Sequence, residues 1–290
     1  MVLKIAPAPS AGAPADDAGL LVVTHSQERG PEPDYLRPVL ARLAQRRGGV
    51  EPRVHTLGAG DPPDLSNVGL ILFALSAGTR TAFPEDWAEA RRIALTADLR
   101  WIPALNAPAA PTAIAEASGS RAGQPAGPMF VRQTLRKRAF VFNGEVVNGE
   151  LLPSRSADGA SQASLFAEGL GLAGRLGDLF GANRRRRRDA VAADIAFFEA
   201  APEATGALAA AAASAGLDFA AVDYVSTADG EVRIVAVEPI GDLAGSSLGL
   251  LARRRGTARR VERLLDRFAE TLDEALAREL GTPFLRRSAA

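Results

Sequence analysis

The chain has 290 residues, of which 47% are hydrophobic, and its 34 lysine and arginine residues balance its 34 aspartate and glutamate residues. A chain of this length can bury a sizeable core, and a net charge of zero excludes a global field that attracts nucleic acid or a charged membrane. Cysteine is absent and the only histidines are His25 and His55. These counts exclude disulfides and thiolate chemistry, and they argue against a histidine-rich metal site.

Residues 1–18, MVLKIAPAPSAGAPADDA, are rich in alanine and proline and lack the continuous apolar segment of a signal peptide. We expect them to form a disordered tail. The longest apolar runs, such as Val68–Leu75, are far too short to span a membrane. These features predict a soluble, cytoplasmic protein.

Residues 19–106 alternate between strand and helix patterns. The β-branched run Gly19–Ser26 is typical of a buried parallel strand, and apolar residues at helical spacing follow from Tyr35 to Leu43. Similar patterns predict strands at Arg53–Leu57, Gly69–Leu75 and Trp101–Asn106, with a helix over about Pro84–Asp98. This order predicts an open, Rossmann-like α/β domain.

The second half of the chain has a different pattern. Residues 107–128 are rich in alanine, proline and glycine, so we expect loop or one short helix there. In residues 129–290, Asn143-Gly144 is a strong hairpin signal and Asn148-Gly149 is a candidate second turn. Helices are predicted over Asp189–Ala200, Pro202–Gly216 and Ala258–Leu280. The pattern predicts a second, α+β domain.

The stretch DYVSTADGEVRIVAVEPIGD, residues 223–242, predicts two strands around a turn. In the expected register Asp223 lies opposite Ile234, and because side chains alternate, Asp223, Ala236 and Glu238 project from one face. Two carboxylates on one wall of a cleft suit Mg²⁺ together with phosphate oxygens. Acids at strand ends are also commonly solvated or paired with arginine.

Gly216–Leu243 resembles the metal-binding hairpin of ATP-grasp carboxylate–amine ligases, in particular the RimK-like group that crosslinks ribosomally made peptides of the microviridin type. In that family the first strand carries an aspartate, which Asp223 matches. The second strand closes with E-x-N-P-x-G-E/D, of which Pro239, Gly241 and Asp242 are present. Val131–Glu145 resembles the adenine-side strand and hairpin of the family.

The resemblance implies a pre-ATP-grasp domain over residues 19–106 and a reduced ATP-grasp-like domain over residues 129–290. It implies ATP and Mg²⁺ as cofactors, with Asp223 and Glu238 on the metal. Arg138 falls where the family places a phosphate-facing arginine, and it becomes the candidate catalytic and nucleotide-binding residue.

The sequence also departs from the family pattern. The metal-ligating glutamate of the family falls on Ala236 and its asparagine on Glu238. Residues 107–128 stand where the family has a small lobe with two lysines and a glycine-rich loop, and they contain no lysine. This segment is a linker or a remnant of that lobe.

Two interpretations therefore stay open. In one, the protein is an active ATP-dependent ligase that joins a carboxylate to an amine or hydroxyl. In the other, it is a degenerate, non-catalytic accessory protein that binds a peptide, acts with a partner ligase and needs no cofactor. The sequence does not decide whether the protein is an enzyme or which substrate it acts on. It also leaves open whether the protein forms a homo-oligomer.

Five consecutive arginines form a second candidate site. Consecutive positions span more than one helical turn, so these side chains must be largely exposed. They suit a solvated helix entry or a patch for an acidic peptide or phosphate, and the lack of interleaved aromatic residues argues against specific nucleic-acid binding. The candidate acidic-peptide site consists of Arg184, Arg185, Arg186, Arg187 and Arg188.

Two weaker signals lie in the first half of the chain. His25 follows a predicted strand at the edge where α/β sheets bind ligands, but no carboxylate partner is evident, so we interpret it as a turn histidine. Thr56–Asp61 contains glycines after a strand but not the dinucleotide-binding pattern, which excludes that type of site.

Overall fold

The computed structural model describes residues 19–25, 33, 35–58, 60–75, 82–108, 136–152, 192–226, 231–241, 243 and 255–281. The tail predicted for residues 1–18, nearly all of residues 107–128 and the run Arg184–Arg188 lie outside the described residues. The predictions made for these segments stay predictions.

The first half of the chain forms a four-stranded parallel sheet, as the alternation of patterns predicts. Its strands are β1 (Gly19–Thr24), β2 (Arg53–Thr56), β3 (Val68–Ala74) and β4 (Ala104–Leu105), in the order β2-β1-β3-β4. Two helices connect them, α1 (Leu36–Arg46) and α2 (Pro84–Leu99).

The last parallel strand is shorter than the predicted Trp101–Asn106. The N–H groups of Trp101 and Ile102 still bond to the carbonyls of Asp98 and Ala97 at the end of α2. Trp101 itself has a φ of 58°, a left-handed conformation that a strand residue does not adopt. These residues therefore terminate the helix, and only Ala104 and Leu105 join the sheet.

The second half of the chain forms a four-stranded antiparallel sheet flanked by helices. Its strands are β5 (Arg136–Phe142), β6 (Glu145–Leu152), β7 (Phe219–Ser226) and β8 (Val232–Pro239), in the order β6-β5-β7-β8. The helices are α3 (192–199), α4 (Thr205–Ser214) and α5 (Arg255–Gly281). Among the described helices, none combines the length and apolar character needed to cross a membrane.

One predicted turn is confirmed and the other is wrong. Asn143 and Gly144 both have positive φ, 49° and 88°, and join β5 to β6 in a tight hairpin. Asn148 and Gly149 instead lie inside β6, where Gly149 is the extra residue of a bulge opposite β5. A Cβ on Gly149 would lie 2.6 Å from the Phe140 ring, so the bulge requires glycine.

A single apolar cluster joins the two sheets. It contains α1 and α5, one face of the parallel sheet with Leu20 and Leu72, and one face of the antiparallel sheet with Phe142 and Phe219. The other face of the parallel sheet packs against α2, and the other face of the antiparallel sheet packs against α3 and α4. The two sheets are thus coupled through a shared core.

Asn106 adds a polar link between the two sheets. Its side-chain Nδ2 donates to the carbonyl of Phe219 at 2.9 Å, and its Oδ1 accepts from the N–H groups of Asp218 and Phe219 at 2.9 Å each. Its own N–H donates to Asp218 Oδ2 at 2.9 Å. This exchange fixes the end of β4 against the start of β7.

We expect Asn106→Ala to lower the free energy of unfolding by about 2–3 kcal/mol, because it leaves buried backbone groups of β7 without their partners. Chemical denaturation measures this change. Asn67→Ala is the matched control, since Asn67 shares the positive φ but is exposed. Equal losses in the two variants would contradict a specific role for the Asn106 side chain.

Candidate functional site

The central strand β7 places Asp223 between two neighbours on the antiparallel sheet. Asp223 pairs with Arg138 of β5 on one side and with Ala236 of β8 on the other. The predicted pairing of Asp223 with Ile234 is wrong, because Ile234 pairs with Tyr224 and a bulge follows between Tyr224 and Asp223. Glu238 pairs with Ala221, so Asp223, Ala236 and Glu238 do share one face, as alternation predicts.

Asp223 is engaged by two arginines of the same face. Arg138 donates from Nε to Oδ1 at 2.7 Å and from Nη2 to Oδ2 at 3.1 Å, a two-pronged contact. Arg136 donates from Nη2 to Oδ2 of the same carboxylate. Asp223 is 2% exposed. Both of its oxygens are therefore occupied by guanidinium groups.

Arg138 also faces a second buried carboxylate. Its Nη1 lies 3.6 Å from Oε1 of Glu150, which the bulge in β6 turns onto the same face. Burial alone would lower the pKa of Arg138, but the hydrogen bonds to Asp223 and the charges of Asp223, Glu150 and Glu238 raise it above its ordinary value. The guanidinium stays charged under all ordinary conditions.

This arrangement does not fit a Mg²⁺ ion bound as the resemblance implies. Mg²⁺ needs carboxylate oxygens with free lone pairs, and those of Asp223 accept bonds from Arg136 and Arg138. Glu238 is exposed but lies two residue pairs farther along the strands. In the described part of the chain, no group of three acidic or histidine side chains is placed to hold a metal ion.

The opposite face of the sheet carries a polar cluster that sequence reasoning missed. Lys137 lies between the arginines in the sequence and therefore points to the other face, where Nζ contacts Glu203 Oε1 at 2.5 Å and Ser226 Oγ at 3.0 Å. It also lies over the rings of Phe197 and Tyr224. Burial and the charge of Glu203 raise the pKa of Tyr224 to about 12. Lys137 is thus paired with Glu203 and faces away from Asp223.

His25 has the carboxylate partner that the sequence did not reveal. Its Nδ1 lies 3.6 Å from Oδ2 of Asp86, and both residues are buried where β1 ends beside the start of α2. Burial lowers the pKa of His25, although the hydrogen bond and charge of Asp86 oppose this shift. The two residues are far apart in the sequence, so no local motif announces the pair.

We expect Asp223→Asn to lower the free energy of unfolding by about 3 kcal/mol, because it leaves two partly buried guanidinium groups without their counterion. Glu238→Gln removes an exposed carboxylate from the same face and should change it by less than about 0.5 kcal/mol. Denaturant unfolding of both variants tests the difference. A Glu238→Gln loss as large as that of Asp223→Asn would contradict the assigned pairing.

The lowered pKa of His25 predicts a pH-dependent stability. The unfolded chain, with an ordinary histidine pKa of 6.5, binds a proton before the folded chain does. Stability is therefore complete above about pH 6.5 and falls as the pH decreases, by up to about 1.4 kcal/mol per pH unit. Unfolding midpoints at pH 7.5, 6.5 and 5.5 should decrease in the wild type and decrease less in His25→Gln. Identical pH profiles would rule out this contribution.

Neither family models nor curated proteins match the sequence. Several solved structures are similar to the described fold. The macrocyclase MdnB from Microcystis aeruginosa MRC aligns at 15% identity with a TM-score of 0.45, covering 89% of this chain and 98% of that one. The ATP-grasp ligase PsnB, in a complex with minimal precursor, Mg and ADP, aligns at 14% identity with a TM-score of 0.43, covering 93% and 100%. The D-cycloserine synthetase DcsG aligns at 18% identity with a TM-score of 0.36, covering 89% and 100%.

Proposed function

We propose that this protein is related to ATP-grasp carboxylate–amine ligases, has a degenerate nucleotide site, and serves as a peptide-binding accessory to a partner ligase. The proposed domains are a pre-ATP-grasp domain over residues 19–106 and a reduced ATP-grasp-like domain over residues 129–290, joined by residues 107–128. The observation that carries the proposal is the pairing of the Asp223 carboxylate with both Arg136 and Arg138.

Metal binding at Asp223 depends on the residue that faces it across the hairpin. The family glutamate falls on Ala236, and Ala236 pairs directly with Asp223 across the hairpin. A glutamate there would face Asp223 and complete a pair of metal ligands, whereas alanine offers no ligand and Arg136 contacts Asp223 instead. A Mg²⁺ ion at Asp223 would displace both arginines from that carboxylate. That cost supports weak metal binding.

The cationic side chains of β5 that could contact the phosphates of ATP are already paired. In the resemblance Arg138 faces phosphate, but its Nε and Nη2 bond to Asp223 and its Nη1 faces Glu150. Lys137 points to the opposite face, where Glu203 holds it. Each charge-assisted hydrogen bond contributes roughly 1.5–3 kcal/mol, so losing two such donors lowers affinity on the order of a thousandfold. The described residues therefore favour weak Mg-ATP binding.

The enzyme interpretation is the alternative, and the shared face of Asp223 and Glu238 supports it. In that case a change of conformation would release Asp223 from the arginines. Asp223 and Glu238 would then hold Mg²⁺, Arg138 would contact phosphate, and the protein would be an ATP-dependent ligase.

Calorimetry with Mg-ATP distinguishes these functions. We expect no binding tighter than about millimolar for the wild type, because its carboxylate and guanidinium groups neutralise one another. The double variant Ala236→Glu, Arg136→Ala removes one of the two guanidinium groups from Asp223 and restores the family glutamate, so it should bind Mg²⁺ more tightly than Arg136→Ala alone. Micromolar Mg-ATP binding by the wild type that Asp223→Asn abolishes would establish the enzyme interpretation instead.

The accessory role is tested by the same titration with an acidic peptide in place of the nucleotide. Arg184–Arg188 supply the proposed contact, so replacing all five with serine should abolish binding, and wild-type binding should weaken with added salt. A peptide with lysine in place of each acid is the control ligand. Acidic-peptide binding that is unchanged in the serine variant would overturn the proposed site.

A further inference from the structure

A groove of about 660 Å³ runs along α2 on the outer side of the parallel sheet. One wall is a stripe of α2, and the other is the segment that leads from β2 to β3. The sheet face behind the groove packs against α2, and the opposite face packs against α1, α5 and the antiparallel sheet. The groove is therefore separate from the Asp223 cluster, which consists of Asp223, Arg136, Arg138 and Glu150. Its lining includes Glu85, Glu89, Arg92, Ile93, Pro62 and Leu65.

Two of the four charged residues that line this groove are already paired. Glu89 accepts from His55 Nε2 at 3.1 Å and from the N–H of Gly58 at 2.9 Å, which ties the end of β2 to α2. Asp86 is buried and faces His25. Glu85 and Arg92 are exposed, and neither forms an ion pair within the described ranges. They are the two opposite charges that the groove offers to a ligand.

The spacing of these two charges sets the length of a matching ligand. Glu85 and Arg92 are seven residues apart on α2, which corresponds to about 10 Å along the helix axis. An extended tripeptide spans about 10 Å between its ammonium and carboxylate groups. The groove volume lies within the range of about 300–1,000 Å³ that is typical of small-ligand sites.

Apolar side chains also line the groove, beside Glu85, Glu89 and Arg92. Ile93 is 5% exposed and Leu65 is 7% exposed, and Pro62 and Pro63 complete this apolar lining. Thr96 lies one helical turn beyond Arg92, and its Oγ1 donates to the carbonyl of Arg92 at 2.8 Å. An apolar central side chain would lose water against this lining while the two ends of the ligand remain at the charges.

We propose that this groove binds a short zwitterionic peptide, with its ammonium group at Glu85, its carboxylate at Arg92 and an apolar side chain against Leu65 and Ile93. The site lies outside the Asp223 cluster and does not depend on the function proposed above. Opposite charges at a fixed separation select for peptide length and direction, since the reversed peptide would place like charges together.

The experiment uses the tripeptide Ala-Leu-Ala and its N-acetylated and C-amidated forms, titrated into the full chain by NMR. We expect each modification to weaken binding about two- to fivefold, the effect of losing one partly exposed ion pair. Glu85→Gln should remove the penalty of N-acetylation alone, and Arg92→Gln should remove the penalty of amidation alone. Asp98→Asn, at the far end of α2 and outside the groove lining, is the control and should leave all three affinities unchanged.

If the two side chains had a purely structural role, each variant would not cancel the penalty of one peptide modification alone. Chemical-shift changes should centre on the amides of Gly58, Gly60 and Thr96, and Ala-Ser-Ala should bind more weakly than Ala-Leu-Ala. The proposal is overturned if the wild type does not bind Ala-Leu-Ala at millimolar concentration. It is also overturned if both variants lower the affinity for all three peptides equally, or if the serine peptide binds as well as the leucine peptide.

Discussion

The packing around Phe268 of α5 holds the two sheets together. Its ring stacks on Phe219 of β7 at 4.5 Å between centroids and lies 5.0 Å from Tyr35 and 5.5 Å from Phe142. Helix α5 therefore packs against both sheets. Along β5 and β7 the side chains of this face then change from Phe140, Phe142 and Phe219 to charged residues. The candidate site begins where the shared core ends, so the position of α5 determines how much of the strands is left for polar chemistry.

The two arginines of the site balance its two buried carboxylates without a metal. Two guanidinium groups, Arg136 and Arg138, face two buried carboxylates, Asp223 and Glu150. The two guanidinium groups together carry a charge of plus two, which equals that of the Mg²⁺ ion implied by the family resemblance. Buried ion clusters are costly to form and contribute little net stability, so their value lies in fixing one arrangement. In the proposed degenerate site, arginine therefore supplies the positive charge beside Asp223.

The periodicity of the sequence predicted the helices, strands and turns of this fold better than it predicted which residues contact one another. The helix beginning at Pro84 and the turn at Asn143-Gly144 follow from local signals, because a helix face and a hairpin turn are encoded by adjacent residues. The pairing of Asp223 required knowledge of a bulge, which inserts one residue and resets the register beyond it. Asp86 was missed as the partner of His25 because contacts between distant segments leave no mark on local patterns.

The alternation of side chains along β5 also determines what could release Asp223 from its two arginines. Arg136, Lys137 and Arg138 point to alternate faces, and the bulge beside them lies on β6, so this alternation is preserved. The two cations beside Asp223 are both arginines, and Lys137 lies on the opposite face. The raised pKa of Arg138 keeps its guanidinium charged near neutral pH. Release of Asp223 therefore requires a competing anion or a partner that supplies new counterions to Arg136 and Arg138, which is a requirement for binding and not for proton transfer.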